Sequence, residues 1–509
     1  MARDPQGALV ALNRFGFGAR GGAASDFSSA ASDPRGFVKA DLARPDAALL
    51  DVPGLQPAPA LAKAVFDYQH DIKQQREAAK TAQAAGVAST EASSRQRGDA
   101  GQANAQIDAM SATGSPGTAS PDASSMQNAS PPKEPPKPLN IIQKTFRAEA
   151  LARFQRATTA ESGFVERLVT FWSNHFCTSA SKGELARIWS GAFEREAIRP
   201  YVLGNFGEML RAVEQHPAML FFLDNQRSFG PQSRAGQNRK RGLNENLARE
   251  IMELHTLGVN GGYTQDDVAA LARIITGWTF AGRDGKIGSP GTFVFLANAH
   301  EPGPQKLLGK VYEDTGLAQG EAALADIARH PATAKFIATK FVRHFVADDP
   351  PPALVAKLEA SFRKSGGDLR AMTLALVDAD EAWHAPMTKI RMPYDYLVAV
   401  GRMTGRIPED PQRYLGGLNV LGQPLWAPAG PNGFADTNAA WAAPEGIKLR
   451  LDIASQIASR IADSVDPRAL LDVVAGEAAS IETRQTVERA ESRQQAFALL
   501  LMSPEFQRR

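Results

Sequence analysis

A single cysteine, Cys177, stands among 509 residues. That excludes an internal disulfide framework and any cysteine-based zinc cluster. No apolar run approaches the roughly 18 residues that a membrane-spanning helix requires, so no span is expected. Excess charge of either sign is missing too: 57 Lys and Arg face 55 Asp and Glu, which gives no push toward nucleic acid or an anionic membrane. The N-terminal MARDPQGALVALNRFGFGAR lacks a basic segment followed by a sustained apolar stretch, the mark of a secretory signal. The default expectation is a soluble cytoplasmic protein, with export left open. Also missing are a GxSxG elbow, a Walker A loop, a complete GxGxxG and an HExxH helix, so no common catalytic signature assigns a reaction.

What is present is enough apolar material, 43% of the chain, to bury a large core. The pattern predicts a mainly α, multi-helical single domain with a small β-hairpin and a long disordered insertion. Residues 1–77 read as an N-terminal helical part of the core. Residues 78–138 are rich in Ala, Ser, Gln, Gly and Pro and nearly devoid of large apolar side chains after Val87. Such a stretch buries too little surface to offset its ordering entropy, so it reads as a disordered surface insertion. Residues 139–509 form the main helical domain.

The most informative stretch is Gly242–Trp278, which reads as a helical hairpin. At about 100° per residue, Leu243, Leu247, Ile251 and Leu254 share a face of a first helix over Leu243–Leu257. Gly258 terminates it and Gly261-Gly262 allows the reversal. Thr264 with Asp267 three residues on is a capping box for the second helix, whose stripe is Val268, Leu271, Ala272 and Ile275. Elsewhere the periodicity predicts helices at Leu9–Phe15, Pro34–Ala43, Ala60–Gln75, Ala332–Val346, Ala353–Lys364, Leu369–Ala379, Pro393–Met403, Ile447–Ser459 and Thr486–Met502. A further helix begins at Asn205, with Glu208 completing its capping-box pattern, and ends at His216-Pro217. Thr292–Leu296 and Lys306–Tyr312 read as two strands joined through His300–Pro304. Gly422–Ala443 is an irregular Pro, Gly and Trp-rich segment, long enough to wall a cleft.

Taken in order, LNRFGFGAR, FWSNHF, LGNFGEMLRAVEQHPAMLFFLDN, NENLAREIMELHTLGVNGGYTQDDVAALARIITGW, HEPGPQKLLG, KFIATKFVRHFVADDPP and LGQPLW resemble the bacterial family catalogued as domain of unknown function 1800. The resemblance spans nearly the whole chain outside the low-complexity insertion. It implies a large bacterial protein, often encoded beside a second family, domain of unknown function 1501, whose members are then the expected protein partner. The resemblance implies export for many members, whereas this sequence shows no signal, which leaves its compartment open. The resemblance implies no activity.

Candidate chemistry is read from polar residues on apolar faces. Glu250 and His255 fall within or beside the buried arc of the first hairpin helix. His175 shares a stripe with Phe164, Leu168, Phe171 and Trp172. Glu250 is the candidate base or ligand, His175 and His255 its partners, and Arg249 the orienting counter-charge. Two imidazoles and one or two carboxylates suit acid–base work or a divalent metal, for which His175, Glu250, His255, Asp266 and His300 are the candidate ligands, with Glu253 a further one. The plain alternative is a satisfied internal network of Glu250, Arg249 and Asn246 in a non-enzymatic scaffold that binds a protein. His216 reads as a helix C-terminal group, Cys177 as no partner for His175, and the basic Arg227–Arg241 loop as solvated.

Overall fold

The computed structural model describes residues 3–21, 26–98, 138–239, 242–407 and 409–509. The chain divides into two compact units, residues 1–65 with 141–509, and residues 66–140. The first unit is built from helices, with two small antiparallel strand pairs. Most boundaries fall where local chemistry puts them. Proline opens the helices Pro34–Ala43, Pro331–Phe345, Pro352–Lys364 and Pro393–Thr404, because its fixed φ suits the first turn and its missing N–H is not needed there. Thr264 and Asp267 form the expected reciprocal cap on Gln265–Ile274.

Three departures are instructive. The helix expected over Ala60–Gln75 runs from Ala58 to Gly98, as its Ala, Gln, Glu and Arg content favours. Residues 99–137, the rest of the expected disordered insertion, lie outside the described residues. The two expected strands do not pair with each other. Phe293–Phe295 (β2) pairs with Trp278–Phe280 (β1), and the second stretch folds on itself as Gln305–Leu307 (β3) and Lys310–Tyr312 (β4). Leu308 and Gly309 both have positive φ, at 51° and 80°, the requirement of a two-residue turn whose twist matches its strands. Finally, the helix expected over Thr486–Met502 is two, Ile481–Glu488 and Arg493–Met502, the second capped by the Ser492 side chain.

Three helices end in a wider, π-type turn: Ala11–Phe15, Glu194–Ile198 and Ile251–His255. Such turns put an extra residue into a helix and concentrate at functional positions. Here each carries buried polar groups: Asn13 and Arg14, Glu194, and His255. The wide turn at Ile251–His255 also revises the expected stripe. Leu247, Ala248, Ile251, Met252 and His255 are buried, whereas Leu243 and Leu254 are only half-buried.

The N-terminal LNRFGFG stretch docks on the C-terminal part of the unit. Asn13 donates to the Glu505 carbonyl at 2.9 Å, and Arg391 donates to the Phe17 carbonyl at 2.7 Å. Gly16 is required by contact, because a Cβ there would stand 2.3 Å from the Ser162 carbonyl oxygen. Phe17, Phe154, Tyr394 and Tyr396 join Phe497, Leu500 and Leu501 in a core shared by both ends of the unit.

Candidate functional site

Two of the expected residues come together in the interior. The helix Phe164–His175 ends on His175, and the wide turn Ile251–His255 ends on His255. Their rings lie 6.3 Å apart, packed by Phe176 against both. His175 donates from Nε2 to the backbone carbonyl of His255 at 3.0 Å. His255 Nδ1 meets Glu214 Oε1 at 2.8 Å. Glu214 and His255 are fully enclosed and His175 is 2% exposed. Glu214 was missed in the sequence, although it lies four residues after Leu210 on the buried face of the helix Phe206–Glu214. In this trio three buried atoms have no protein partner among the described residues: His175 Nδ1, His255 Nε2 and Glu214 Oε2.

The other expected residues are arranged differently. Glu250 is half-buried beside this cluster, and its carboxylate is in no hydrogen bond among the described residues. Arg249 does not serve it as a direct partner. The guanidinium turns outward to Glu245 and Glu253, each at 3.2 Å, and to Gln265 at 3.0 Å. That spacing follows from the i,i+4 geometry of the helix, which sets Arg249 between residues 245 and 253. Asp266 is exposed in the first turn of its helix. His300 is buried elsewhere, its Nδ1 donating to the Thr276 carbonyl at 3.1 Å. The candidate metal ligands therefore do not converge, and among the described residues no three His, Cys, Asp or Glu side chains are placed to hold an ion. His216 caps the start of the next helix rather than the end of the one before: its Nδ1 accepts from the Ala218 N–H, and its Nε2 meets Glu196 at 3.2 Å.

The irregular Pro/Gly segment does cover a cavity, but one lined by other residues. Asn174 grips Phe434 through two backbone bonds, at 2.8 and 2.9 Å. Cys177 donates to the Pro431 carbonyl at 3.3 Å, and Ser179 to that of Pro428 at 2.8 Å. Beneath this cover lies a space of about 50 Å³, walled by Arg153, Ser173, Cys177, Glu194, His344 and Trp426. That is room for a few waters or a small polar group. Trp426 sits at φ +49°, a conformation costly for a bulky residue, and its indole donates to Glu194 at 3.1 Å. In the same wall His344 Nδ1 meets Asp436 Oδ2 at 2.6 Å, and His344 Nε2 is buried without a protein partner among the described residues. His344 carried a sequence signal of the His175 kind, falling on a helix face beside Phe341 and Phe345. Asp436 lies in an aperiodic stretch and carried none.

Residues 10–508 match the family described as "Protein of unknown function (DUF1800)". The chain belongs to that family. No curated protein and no solved structure matches it. The DUF1800 match takes in both the Glu214–His255–His175 cluster and the covered cavity.

The electrostatics of this DUF1800 protein separate the groups by task. Burial drives His344 down to about 4, despite the opposing pull of Asp436, so the imidazole is neutral at pH 7. Burial pushes Asp436 upward, but His344, Arg509 and Lys389 together hold it well below the usual carboxylate range. A neutral imidazole beside an ionised carboxylate keeps its proton on Nδ1, which leaves Nε2 as a lone-pair acceptor. His175 is also driven well below its ordinary value by burial. Burial raises the Cys177 thiol to about 12 and lowers Lys340 to about 8. Burial raises Glu250 as well, with His255 pulling the other way. Glu194 is held low against burial by Arg153 and Arg199. Its carboxylate also accepts from Ser173 and Trp426, so it serves as an anchor with no capacity left for a ligand.

Proposed function

We propose that this protein is an enzyme that transfers protons on a small polar substrate held beneath the 423–434 cover. One observation carries the reading. His344, bonded to Asp436, stands in the wall of a covered cavity with its tautomer set by that carboxylate and its Nε2 without a protein partner among the described residues. In this reading His344 accepts the proton and Asp436 orients the ring and stabilises the imidazolium as it forms. Lys340, one turn before His344 on the same helix and lowered to about 8, is the second group able to exchange a proton near neutrality. Glu250, raised by burial on the side of His255, is the rival candidate base, which the experiment below separates from His344. The His175–His255–Glu214 chain stiffens the wall behind them.

A second reading rests on the enclosure of that chain. Groups at 0–2% exposure, bonded to one another and to backbone, behave as stability determinants. On this reading the protein is a helical scaffold for a protein partner, and a member of the domain of unknown function 1501 family is the partner to test.

The deciding experiment incubates the protein in D2O with a panel of small hydroxy acids, amino acids and esters, and follows turnover and proton exchange by NMR. Turnover lost in His344→Gln and Asp436→Asn but kept in Glu250→Gln supports the cavity assignment. Turnover that survives His344→Gln removes it. An inert wild-type protein that co-purifies with the partner establishes the scaffold instead.

A further inference from the structure

The side-chain charges buried between the two ends of the first unit do not balance. Arg14, Arg167, Arg391, Arg450 and Arg509 are at most 1% exposed, and Lys389 lies with them. Facing these six cations are three carboxylates: Asp395, Asp436 and Asp348. Lys389 is satisfied by Asp348 at 2.6 Å, and Arg509 by Asp436 at 3.0 Å. Asp395 is shared between Arg167 and Arg509, with the Arg509 contact at 3.6 Å.

The guanidiniums are tied down at their ends and left unpaired elsewhere. Arg14 spends its terminal nitrogens on the carbonyls of Ala382, Ala385 and Pro386. Arg391 gives its own to Asn13 and to the Phe17 carbonyl. Among the described residues five buried guanidinium nitrogens have no hydrogen-bond acceptor: Nε of Arg14, Arg167, Arg391 and Arg509, and Nη2 of Arg167, with Arg509 Nε 3.6 Å from Asp395. Among the described residues Asp395 Oδ1 likewise has no hydrogen-bond partner. Burial and mutual repulsion act in the same direction. Arg14 and Arg167 are lowered to about 10 by burial and then by Arg509. Arg391 is lowered to about 9 by burial against the pull of Asp395, with Arg167 and Arg509 adding to the effect of burial.

An uncompensated charge in a protein interior costs several kcal/mol, and an unpaired buried donor adds its own penalty. We infer that the Arg14, Arg167, Arg391 and Arg509 cluster binds a small monovalent inorganic anion of the chloride class. Enclosure at 0–1% leaves no way in for a bulky phosphate ester, whereas a single halide accepts from several N–H groups at once. The site is separate from the cavity proposed for catalysis and does not depend on that reading.

The test compares thermal unfolding of the full-length protein in sodium chloride and in sodium gluconate, at matched ionic strength and pH 7. Binding to the folded state raises Tm in chloride by about 1–2 °C per tenfold increase above Kd, and gluconate does not reproduce the rise. Bromide soaked into crystals then gives an anomalous peak within hydrogen-bond reach of at least two of the four guanidiniums. The Arg391→Gln variant loses the chloride dependence. Should that variant fail to fold, the bromide map of the wild-type protein decides alone. Identical melting in the two salts, or a bromide map with water in place of an anomalous peak among these arginines, overturns the proposal.

Discussion

His175 donates to the main-chain carbonyl of His255, not to its ring, so one histidine holds the backbone that carries the other. The relation makes His175 sensitive to the shape of the wide turn at Ile251–His255. It also places Glu214, on a different helix, as the group that orients the His255 ring.

That arrangement separates two glutamates. Glu214→Ala orphans His255 Nδ1 in the interior and removes a fully buried side chain, at a cost of about 3 kcal/mol. Glu250→Gln breaks no hydrogen bond among the described residues and removes a carboxylate that burial disfavours. Its stability should stay within about 0.5 kcal/mol of wild type or rise. Urea unfolding of both variants checks the contrast, and an equal loss in the two would contradict it.

The pH dependence of stability carries a defined sign. His344 has its folded value lowered to about 4, below the ordinary 6.5. Between those values the unfolded chain binds more protons, so stability is full above about pH 6.5 and falls as pH drops toward 4. His175, also lowered by burial, adds to the same window. Replacing His344 with Gln should flatten the slope by up to about 1.4 kcal/mol per pH unit. Chemical denaturation at pH 7, 6 and 5 reads this directly, and an unchanged slope would count against a neutral buried His344.

Lys340 should be the most reactive lysine near neutrality. With its value lowered to about 8, a substantial fraction of the amine is unprotonated at pH 7.5, where ordinary lysines at about 10.4 are almost fully charged. Brief acylation followed by peptide mapping should mark Lys340 ahead of the exposed lysines, with half-maximal rate near pH 8. A profile centred above pH 10 would refute it.

The cover should depend on Gly433. Its φ is +73°, and a Cβ there would stand 2.5 Å from the Asn174 backbone oxygen. Gly433→Ala therefore combines left-handed strain with a clash against main chain that cannot swing away, at about 1–3 kcal/mol. Hydrogen exchange should quicken across 423–434 and leave Gln265–Ile274 unchanged.

How much of this was legible in the sequence follows from the range of each interaction. The Thr264–Asp267 cap and the proline-opened helices are written within one turn of chain, and they were read correctly. His175 and His255 were legible as polar residues on apolar stripes. They are expected as partners of one site; that His175 reaches the His255 carbonyl, 80 residues away, and that Glu214 holds the His255 ring is not legible, because neither contact is local in the chain. The Arg249–Glu253 pair is legible from i,i+4 spacing, whereas the turning of Arg249 away from Glu250 is not, because only the rotation of the helix decides it. Asp436 could not have been found at all: its partner His344 is 92 residues away, and its own segment has no period. The second strand pair was missed because seven residues read as one strand, while positive φ at Leu308 and Gly309 divides it in two.

The wide helical turns set a limit on which changes this chain can absorb. Each is equivalent to one residue accommodated within a helix, and each holds a buried polar group at its particular rotation. Substitutions there alter one contact. Deleting a single residue from Ala11–Phe15, Glu194–Ile198 or Ile251–His255 would instead restore ordinary winding: the chain beyond keeps its register, and the buried group carried on the widened turn is turned out of its place. Arg14, Glu194 and His255 would leave their partners together. For these fifteen positions the length of the chain is as specific as its letters.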